Sequence, residues 1–567
     1  MFDFVRLHRA QPLFSSAATG NDGDEHKHVK RMTRSRSAGV ARRRRARGVV
    51  AASAALLAFT LSAGPEPLGI PAVAAEACSG VDSDINGDGA PDTAIADPEA
   101  TAAGVPKAGV VHIVYGGVGG TLALTQEAAN AGPSEADDRF GHALAVYDAN
   151  LDGCADLAVG SPYEDVGTQG VDSGRVVVVY GSPAGLGAGK ATVEYVQQSA
   201  PLAALAAEAD DWFGYTVKAG KTRAGVPFLV AGMPGEDIGT AIDAGGLVYF
   251  SGSATVTAGV VNQDVSTTAG AVPDAAESYD RFGEAIDATP DYLAVGSPGE
   301  GTGTADQAGA VTLFNHVLTS NVPKPLNVIT QDSPNVNGGC ETGDGFGTAL
   351  AAIDSTASIA LGNKMLLAVG TPGEDLAAVD GGSVQLFSVD SAGAFTESAW
   401  IDQDGANIDD KVEAGDYFGQ RLAAYKRPGL FPADLAIGVP GQDGDGVADR
   451  GAVHTFKMFE ATGATDRLLK PGVPAEPEDT GGFPSPPAAD NVIPAAPGGR
   501  LYVGLSLGAT AKGLYVGLPY GPSEGRAVHL FGWTARENTL AGPPIKTFKP
   551  GLSGLPAENG TFGTVAR

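Results

Sequence analysis

Short apolar runs alternate with polar, glycine-rich clusters along most of the chain. The runs consist mainly of Val, Ala, Leu and Tyr, and clusters of Gly, Pro and Asp separate them. Short apolar runs bounded by turn-forming residues are typical of β-strands. Glycine accounts for 81 of the 567 residues and aromatic residues for only 7%, which favours many turns over a helical bundle packed by large side chains. We therefore predict an all-β protein.

Sequence elements that recur in register divide these strands into repeats. Each repeat contains a Phe-Gly element, a Gly-x-Pro element, a strand introduced by glycine and, in most copies, a segment centred on Gln. Four strands per repeat, arranged radially, are the signature of a β-propeller blade. The well-formed Phe-Gly copies contain Phe140, Phe213, Phe282, Phe346 and Phe418, and the Gly-x-Pro copies begin at Leu157, Leu229, Leu293, Leu367, Leu435 and Leu514.

The number of blades depends on the two ends of the repeat region. The first repeat starts at "DTAIADP" (92–98) in the Gly-x-Pro position and has no Phe-Gly strand before it, whereas "NGTFGTVA" (559–566) supplies one at the C-terminus. If that last strand joins the first blade, the ring has seven blades and no exposed sheet edge. We predict that residues 76–567 form a seven-bladed β-propeller of four-stranded blades, in which the C-terminal strand completes blade one.

The in-register alternation of Phe-Gly and Gly-x-Pro elements resembles the FG-GAP repeats of integrin α-subunit propellers and their bacterial relatives. The resemblance extends from about Cys78 to Arg567 and rests on five well-formed copies of each element. It implies a β-propeller that binds Ca²⁺ in the loop between the Phe-Gly and Gly-x-Pro strands. It also implies an integrin-like module for an extracellular protein or glycan ligand.

Two acidic loops in that position share the spacing DxNxDGxxD. Side chains at alternate positions of a tight loop converge on one point, and oxygen donors of net charge −3 suit Ca²⁺. An EF-hand is excluded, because the apolar Ile95 and Val159 stand where its bidentate Glu would fall. The alternative is a turn whose side chains bond only local backbone amides. The predicted ligands of two Ca²⁺ sites are Asp84, Asn86, Asp88, the carbonyl of Ala90 and Asp92, and Asp148, Asn150, Asp152, the carbonyl of Cys154 and Asp156.

A secretory signal precedes the repeats. Basic residues at 42–47 lead into the apolar run 49–63, which is too short to span a bilayer comfortably, and small residues at 72–75 offer cleavage positions. Because Met32 stands where such a signal would begin, we interpret 1–31 as a non-native or disordered extension. Residues 32–75 are then a signal peptide cleaved near Ala74 or Ala75, and the alternative is a genuine N-terminal anchor. The mature protein is expected to be secreted, without stable membrane insertion.

Charge and cysteine content limit the partners and the compartment. The whole chain carries a formal net charge of −29, and loss of the basic leader makes the remainder more negative, so it should repel nucleic acid and anionic lipid. We expect a monomer. Three cysteines in an exported protein permit one disulfide, and we pair Cys78 with Cys154, which leaves Cys340.

Catalytic motifs are not evident in the sequence. The histidines are scattered over different blades without an HExxH pattern. The first hypothesis is therefore a secreted, calcium-binding adhesion or ligand-binding module with no catalytic residues. The alternatives are an extracellular hydrolase, phospholipase D-like or esterase-like, built on the propeller, and a structural protein of the cell envelope. The acidic loops that follow the Gly-x-Pro strands are either binding loops on one face or simple hairpin turns.

Overall fold

The computed structural model describes residues 78–567 except 169, 269, 356–362, 407, 428–432, 445, 459–465, 473–491, 496–498, 533–543 and 558. The predicted extension (1–31) and signal peptide (32–75) lie outside the described residues. The described chain is all-β apart from a 3₁₀ turn at Ser523–Gly525. Within that part of the chain, no helix has the length and hydrophobicity needed to cross a bilayer.

Seven sheets follow one another along the chain and form the blades of a β-propeller, which confirms the predicted fold class. Within blades two to seven the first four strands pair antiparallel, each with the next one along the chain. The first strands of consecutive blades, from blade two to blade seven, contact one another and so lie innermost.

Blades one to three contain eleven strands. These are β1 (Thr93–Asp97), β2 (Val110–Val114) and β3 (Thr121–Leu124) in blade one, β4 (Ala143–Tyr147), β5 (Asp156–Ser161), β6 (Arg175–Val179) and β7 (Val193–Tyr195) in blade two, and β8 (Thr216–Lys221), β9 (Pro227–Met233), β10 (Gly246–Ser251) and β11 (Thr257–Val261) in blade three.

A two-stranded ribbon lies between blade three and blade four in the sequence. The ribbon is β12 (Ser266–Thr267) and β13 (Gly270–Ala271). Blade four follows with β14 (Ala285–Ala288), β15 (Tyr292–Ser297), β16 (Ala310–Thr319) and β17 (Val322–Ile329), and blade five with β18 (Ala349–Asp354), β19 (Asn363–Thr371), β20 (Ser383–Asp390) and β21 (Phe395–Ile401).

Blade six departs from the predicted four strands. Its fifth strand pairs parallel with the fourth, with Lys470 opposite Val492, and so covers the outer edge of the fourth strand. Blade six consists of β22 (Arg421–Tyr425), β23 (Asp434–Val439), β24 (Ala452–Lys457), β25 (Arg467–Gly472) and β26 (Val492–Pro494), and blade seven of β27 (Leu507–Thr510), β28 (Gly513–Gly517), β29 (Val528–Phe531) and β30 (Lys546–Phe548).

The Phe-Gly element joins each blade to the one before it. Phe213 bridges Gly174 of blade two and Phe282 bridges Gly245 of blade three, and both rings are fully buried in hydrophobic clusters shared by two blades. Burying one such side chain contributes roughly 1.5–3 kcal/mol. In blade seven Val503 takes the place of Phe and makes the equivalent bridge to Gly451.

Close backbone approach explains the glycines of both motifs. A Cβ on Gly160, in the Gly-x-Pro strand of blade two, would overlap the carbonyl oxygen of Gly214, the Phe-Gly glycine of blade three. Gly214 itself has φ +91°, a conformation that disfavours other residues. The same relationship joins Gly517 of blade seven to Gly563 near the C-terminus.

The C-terminal residues lie alongside β1. Arg567 and Ala94 exchange two backbone hydrogen bonds of 2.9 Å, and the Ala96 N–H donates to the Val565 carbonyl at 2.8 Å. Phe562 is buried in a cluster with Ile95 of blade one and residues of blade seven. These contacts fit the predicted fourth strand of blade one, and closure of the ring by this segment stays a prediction.

Candidate functional site

The first acidic loop (84–92) precedes β1 and is held by its own backbone. The Asp84 carboxylate is fully buried and accepts hydrogen bonds from Gly87 N and Gly89 N, each at 2.8 Å. Asp88 accepts from Ala90 N at 2.9 Å and from Val118 N, beyond β2, at 2.7 Å. These amides lower the pKa of Asp88, so the loop keeps this carboxylate charged.

The last aspartate of each loop makes the same contacts in its own blade. Asp92 accepts from Ile85 N and Gly116 N, and Asp156 accepts from Ala149 N and Gly181 N, all at 2.8 Å. Each therefore ties the start of its loop to the residues that follow β2 in blade one or β6 in blade two. Burial raises the pKa of Asp92 and raises that of Asp156 to about 7, a cost that a bound cation would offset.

The second acidic loop (148–156) joins β4 to β5 in blade two. Asp152 N donates to Asp148 Oδ1 at 3.1 Å and to Asn150 Oδ1 at 3.0 Å, and Cys154 N donates to Asp152 Oδ1 at 2.9 Å. Lys221 from blade three donates to Asp148 Oδ2 at 2.9 Å. The second loop therefore already has a cationic partner at its first predicted ligand.

A disulfide and two backbone hydrogen bonds join the loops to each other. Cys78 and Cys154 form the predicted disulfide, and Cys340 is free. Ala155 N donates to the Asp84 carbonyl at 2.8 Å, and Gly80 N donates to the Gly153 carbonyl at 2.9 Å. The two loops thus form one cross-linked unit that spans blades one and two.

The donor set of both loops fits Ca²⁺, because it contains only carboxylate, amide and carbonyl oxygens. These carboxylates nevertheless accept hydrogen bonds from several different backbone amides. Among the described residues, neither loop brings three carboxylates within 4.8 Å of one another. The structure places the predicted residues in two adjacent loops, and their role as Ca²⁺ ligands stays a prediction.

The opposite face of the propeller carries a different chemistry, which the sequence interpretation missed. In an antiparallel blade, the loops that follow the second and fourth strands lie at the opposite end from the acidic loops. There His142 packs 4.9 Å from Tyr215 and 5.7 Å from Tyr163, measured between ring centroids. The Arg139 guanidinium lies 4.7 Å from the Tyr163 ring centre, and Trp212 packs 6.3 Å from Tyr215. We call these five residues the aromatic cluster.

The residue before each Phe-Gly pair has a strained backbone. Arg139, Trp212, Arg281 and Tyr417 have φ of 51–55°, in the left-handed region that costs a non-glycine residue roughly 1–2 kcal/mol. Gly345 holds the same position in blade five. Large polar and aromatic side chains that stay at a strained position suggest a function. In the sequence, the variable residues next to the constant Phe-Gly pair were the feature that could have indicated this site.

Burial sets the charge within the aromatic cluster. Burial and the nearby Arg139 lower the pKa of His142 to about 3, so its imidazole is neutral at physiological pH. Burial raises the pKa of Tyr163, so its phenol is also neutral. The positive charge of the cluster therefore resides on Arg139, beside aromatic rings that present flat apolar faces.

The family comparison agrees with the repeat pattern. The FG-GAP repeat family model matches residues 140–179, the stretch from Phe140 through the second acidic loop to β6. The chain carries an FG-GAP repeat. In the propeller, this matched repeat is blade two.

Two curated relatives match part of this chain. Phosphatidylinositol-glycan-specific phospholipase D of Mus musculus is 39% identical over 106 residues, which are 18% of this chain and 12% of the mouse protein. The Rattus norvegicus protein of the same name is 40% identical over 108 residues, or 18% of this chain and 13% of the rat protein. The chain thus matches about an eighth of the length of these relatives.

Solved structures similar to this chain have low sequence identity to it. A putative 6-phosphogluconolactonase from Bacteroides fragilis NCTC 9343 aligns with 84% of this chain and 97% of its own, at 12% identity and a TM-score of 0.39.

Proposed function

We propose that this FG-GAP propeller is a secreted, Ca²⁺-binding, integrin-like module that recognises an extracellular protein or glycan at the aromatic cluster. The observation that carries the proposal is the cluster itself, where Arg139, His142, Tyr163 and Tyr215 pack within 6 Å of one another in successive pairs. Trp, Tyr and Arg are the residues that dominate binding energy in protein interfaces.

The strained positions support the same site. Arg139 and Trp212 both have left-handed backbone conformations beside buried Phe-Gly pairs, and glycine would occupy them without strain. Because blades two and three both contribute, the cluster exists only when neighbouring blades are docked. A ligand bound there would therefore recognise the assembled ring.

The acidic loops would serve stability in this proposal. They lie at the other end of the blades and already connect blades one and two through the Cys78–Cys154 disulfide. A cation in either loop would offset the cost of burying Asp92 or Asp156. Ca²⁺ would thus stabilise blades one and two, and blade two carries part of the aromatic cluster.

Binding to arrays of immobilised glycans and extracellular proteins, with the secreted full chain as probe, tests the proposal. We expect binding that Trp212→Ala and Arg139→Ala each weaken at least tenfold. Ile242→Ala is the matched control, because Ile242 is exposed on the same face but lies outside the cluster, and it should bind like the parent. Equal binding by all four proteins, or no binding on either array, would contradict the proposal.

The partial match to a phospholipase D keeps a hydrolase as the second candidate. Release of the lipid from a phosphatidylinositol-glycan by the purified chain, lost when residues of the aromatic cluster are replaced, would favour it. A structural envelope protein would instead stay with the cell wall after washes with salt and chelator.

A further inference from the structure

The residue that follows the proline of the Gly-x-Pro motif differs around the ring. In blades three to six it is glycine, and a backbone carbonyl oxygen lies 1.8–2.0 Å from where its Cβ would be, so no side chain fits there. These glycines are Gly235, Gly299, Gly373 and Gly441. Blades two, seven and one instead carry Tyr163, Tyr520 and Glu99 at this position. Large side chains from these loops therefore come from one part of the ring.

These three side chains extend the aromatic cluster toward blades one and seven. Glu99 Oε1 lies 3.9 Å from Arg139 Nη2, and the same guanidinium lies 4.7 Å from the centre of the Tyr163 ring. Burial raises the pKa of Tyr520, and the charges of Glu99 and Arg139 also act on its phenol. Tyr520 of blade seven is therefore part of the same group of side chains.

Arg421 of blade six acts across the central channel of the propeller. It begins β22, one of the innermost strands, at a position where the other blades have only Ala, Thr, Ser or Val. Besides burial, its positive charge acts on the pKa of His142 in blade two, Tyr215 in blade three and Tyr520 in blade seven. Because these side chains come from three other blades, Arg421 extends into the channel between them. We call Arg421, Glu99, Tyr520 and the aromatic cluster the channel mouth.

The channel mouth is locally positive in a strongly acidic protein. Burial lowers the pKa of His142 to about 3, and the two charges that add to this effect are those of Arg139 and Arg421. The carboxylates of Glu99 and Glu284 lie 3.9 Å and 3.8 Å from an arginine, so each is balanced by a positive charge. Because the whole chain has a formal net charge of −29, this region attracts an anion that the rest of the surface repels.

The rings of the channel mouth carry hydrogen-bonding groups that no described residue satisfies. The imidazole of His142 and the hydroxyls of Tyr215 and Tyr520 form no hydrogen bond with any residue in the described part of the chain. Both phenols and the imidazole are neutral at physiological pH, for the reasons of burial given above. Flat aromatic faces beside neutral hydrogen-bonding groups suit a sugar ring, which has apolar C–H faces and hydroxyl groups at its edge.

We propose that the channel mouth binds an acidic sugar residue of an extracellular glycan. Arg421 pairs with the carboxylate of the sugar, because a guanidinium matches a carboxylate with two parallel hydrogen bonds. Tyr215, Tyr520 and His142 contact the ring and the hydroxyl groups. This inference rests on the proposed function and narrows its ligand, an extracellular protein or glycan, to one chemical class.

Pairs of polymers that differ only in charge test this assignment by surface plasmon resonance with the full chain. The probes are polygalacturonate, hyaluronate and polysialate, each beside the same polymer with its carboxyl groups reduced to alcohols. We expect at least one acidic polymer to bind at least tenfold more tightly than its reduced form. Arg421→Gln should remove this preference without changing the affinity for the reduced polymer. Arg421→Lys should keep part of the preference, because the charge remains but the planar guanidinium does not.

Arg223→Gln is the matched control. It removes one guanidinium from the face of the acidic loops, where the Arg223 side chain is 52% exposed, and should keep the preference of the parent. Tyr520→Phe keeps the aromatic ring and should weaken binding of both forms of a polymer. No preference in all three pairs would overturn the proposal, and so would an equal loss in Arg421→Gln and Arg223→Gln. If the Arg421 variants do not fold, an unchanged affinity in Tyr520→Phe overturns it.

These outcomes can be distinguished from failure of the proposed function. If the acidic polymers show no preference while Trp212→Ala still weakens binding of a protein or neutral glycan on the arrays, the aromatic cluster remains the binding site and the acidic sugar is wrong. If the parent binds nothing on the arrays and none of the polymers, both proposals fail.

Discussion

Lys221 of blade three forms an ion pair with Asp148 of blade two, with 2.9 Å between Nζ and Oδ2. Asp148 is the first predicted ligand of the second acidic loop. The first acidic loop has no such ion pair among the described residues. The two loops, equivalent in sequence spacing, therefore differ in their electrostatic surroundings.

Replacing Lys221 should strengthen Ca²⁺ binding in the second loop. The Lys221→Met variant removes a positive charge beside the site, and an exposed pair of this kind is worth about 0.2–1 kcal/mol, so we expect a roughly 1.4- to fivefold lower Kd by calorimetric titration. Lys218→Met is the control, because Lys218 pairs with Asp287 instead. An unchanged Kd in Lys221→Met would mean that Asp148 is not a ligand.

Ca²⁺ should stabilise the folded protein through both acidic loops. At a Ca²⁺ concentration of about a hundred times Kd, one site adds roughly 2.7 kcal/mol to the free energy of unfolding. Thermal unfolding with EDTA and with Ca²⁺ measures this gain, and Asp88→Ala and Asp152→Ala should each remove one site's share. Asp443→Ala, in an acidic loop without the alternating spacing, is the control. If Ca²⁺ does not raise the free energy of unfolding of the parent protein, the loops are not Ca²⁺ sites.

Residues 559–567 should be essential for stability if they complete blade one. Deleting them removes the hydrogen bonds to Ala94 and Ala96 and exposes an unpaired edge of β1, so we expect loss of the cooperative thermal transition. Phe562→Ala should cost about 3–5 kcal/mol, and Phe282→Ala, at the matching position of blade four, should cost the same. A loss for Phe282→Ala without one for Phe562→Ala would show that the C-terminal strand does not close the ring.

Asp97 should make stability depend on pH at the junction of β1 with the C-terminal residues. Its buried carboxylate accepts a hydrogen bond from Thr561 N at 2.6 Å, and burial raises its pKa to about 6. The folded state then holds a proton that the unfolded state has released, so stability falls as the pH rises from about 4 to 6.

The Asp97→Asn variant isolates this effect. Denaturant unfolding of parent and variant between pH 4 and pH 7 should show a difference in free energy that changes by up to about 3 kcal/mol over the range. The other raised carboxylates remain in both proteins and cancel in the comparison. A constant difference over this range would show that Asp97 titrates normally.

The aromatic cluster should tolerate glycine for folding but not for binding. Arg139→Gly relieves a left-handed backbone worth roughly 1–2 kcal/mol and loses a cation–π contact worth about 0.5–1 kcal/mol. We therefore expect the free energy of unfolding to change by no more than about 1 kcal/mol, while ligand capture on the arrays falls. Tyr417→Gly makes the same backbone change outside the cluster and should keep its binding.

The sequence predicted the fold because the Phe-Gly element of a repeat stands where its blade contacts the preceding blade. Phe and Gly recur at the five junctions from blade one to blade six, as where Phe213 docks on Gly174, so spacing alone located these five junctions. The fifth strand of blade six escaped prediction, since the pairing of Lys470 with Val492 belongs to no repeat. The disulfide was predictable because Cys78 and Cys154 adjoin two matched loops.

The sites on the opposite face were not predictable in the same way. His142, Tyr163 and Tyr215 come from different loops, and nothing in their spacing shows that their rings meet. Likewise Arg421 belongs to blade six, whereas the rings on which its charge acts belong to blades two, three and seven. Such groupings arise from the docking of blades, and the sequence pattern of a single repeat does not contain them.

Hydrogen bonds from a buried Gln of one blade to the next blade bear on how such a chain can gain or lose blades in evolution. Each of the four units that begin at Phe140, Phe213, Phe282 and Phe346 brings the acceptor for the Gln of the blade before it and the Gln donor for the blade after it. A duplication or deletion of one of these four units leaves every surviving donor with an acceptor. The buried Gln side chain of a blade finds its hydrogen-bond acceptor in the next blade and not in its own. Because each of these units carries both an acceptor and a donor, the number of blades can change while the contacts between blades stay the same.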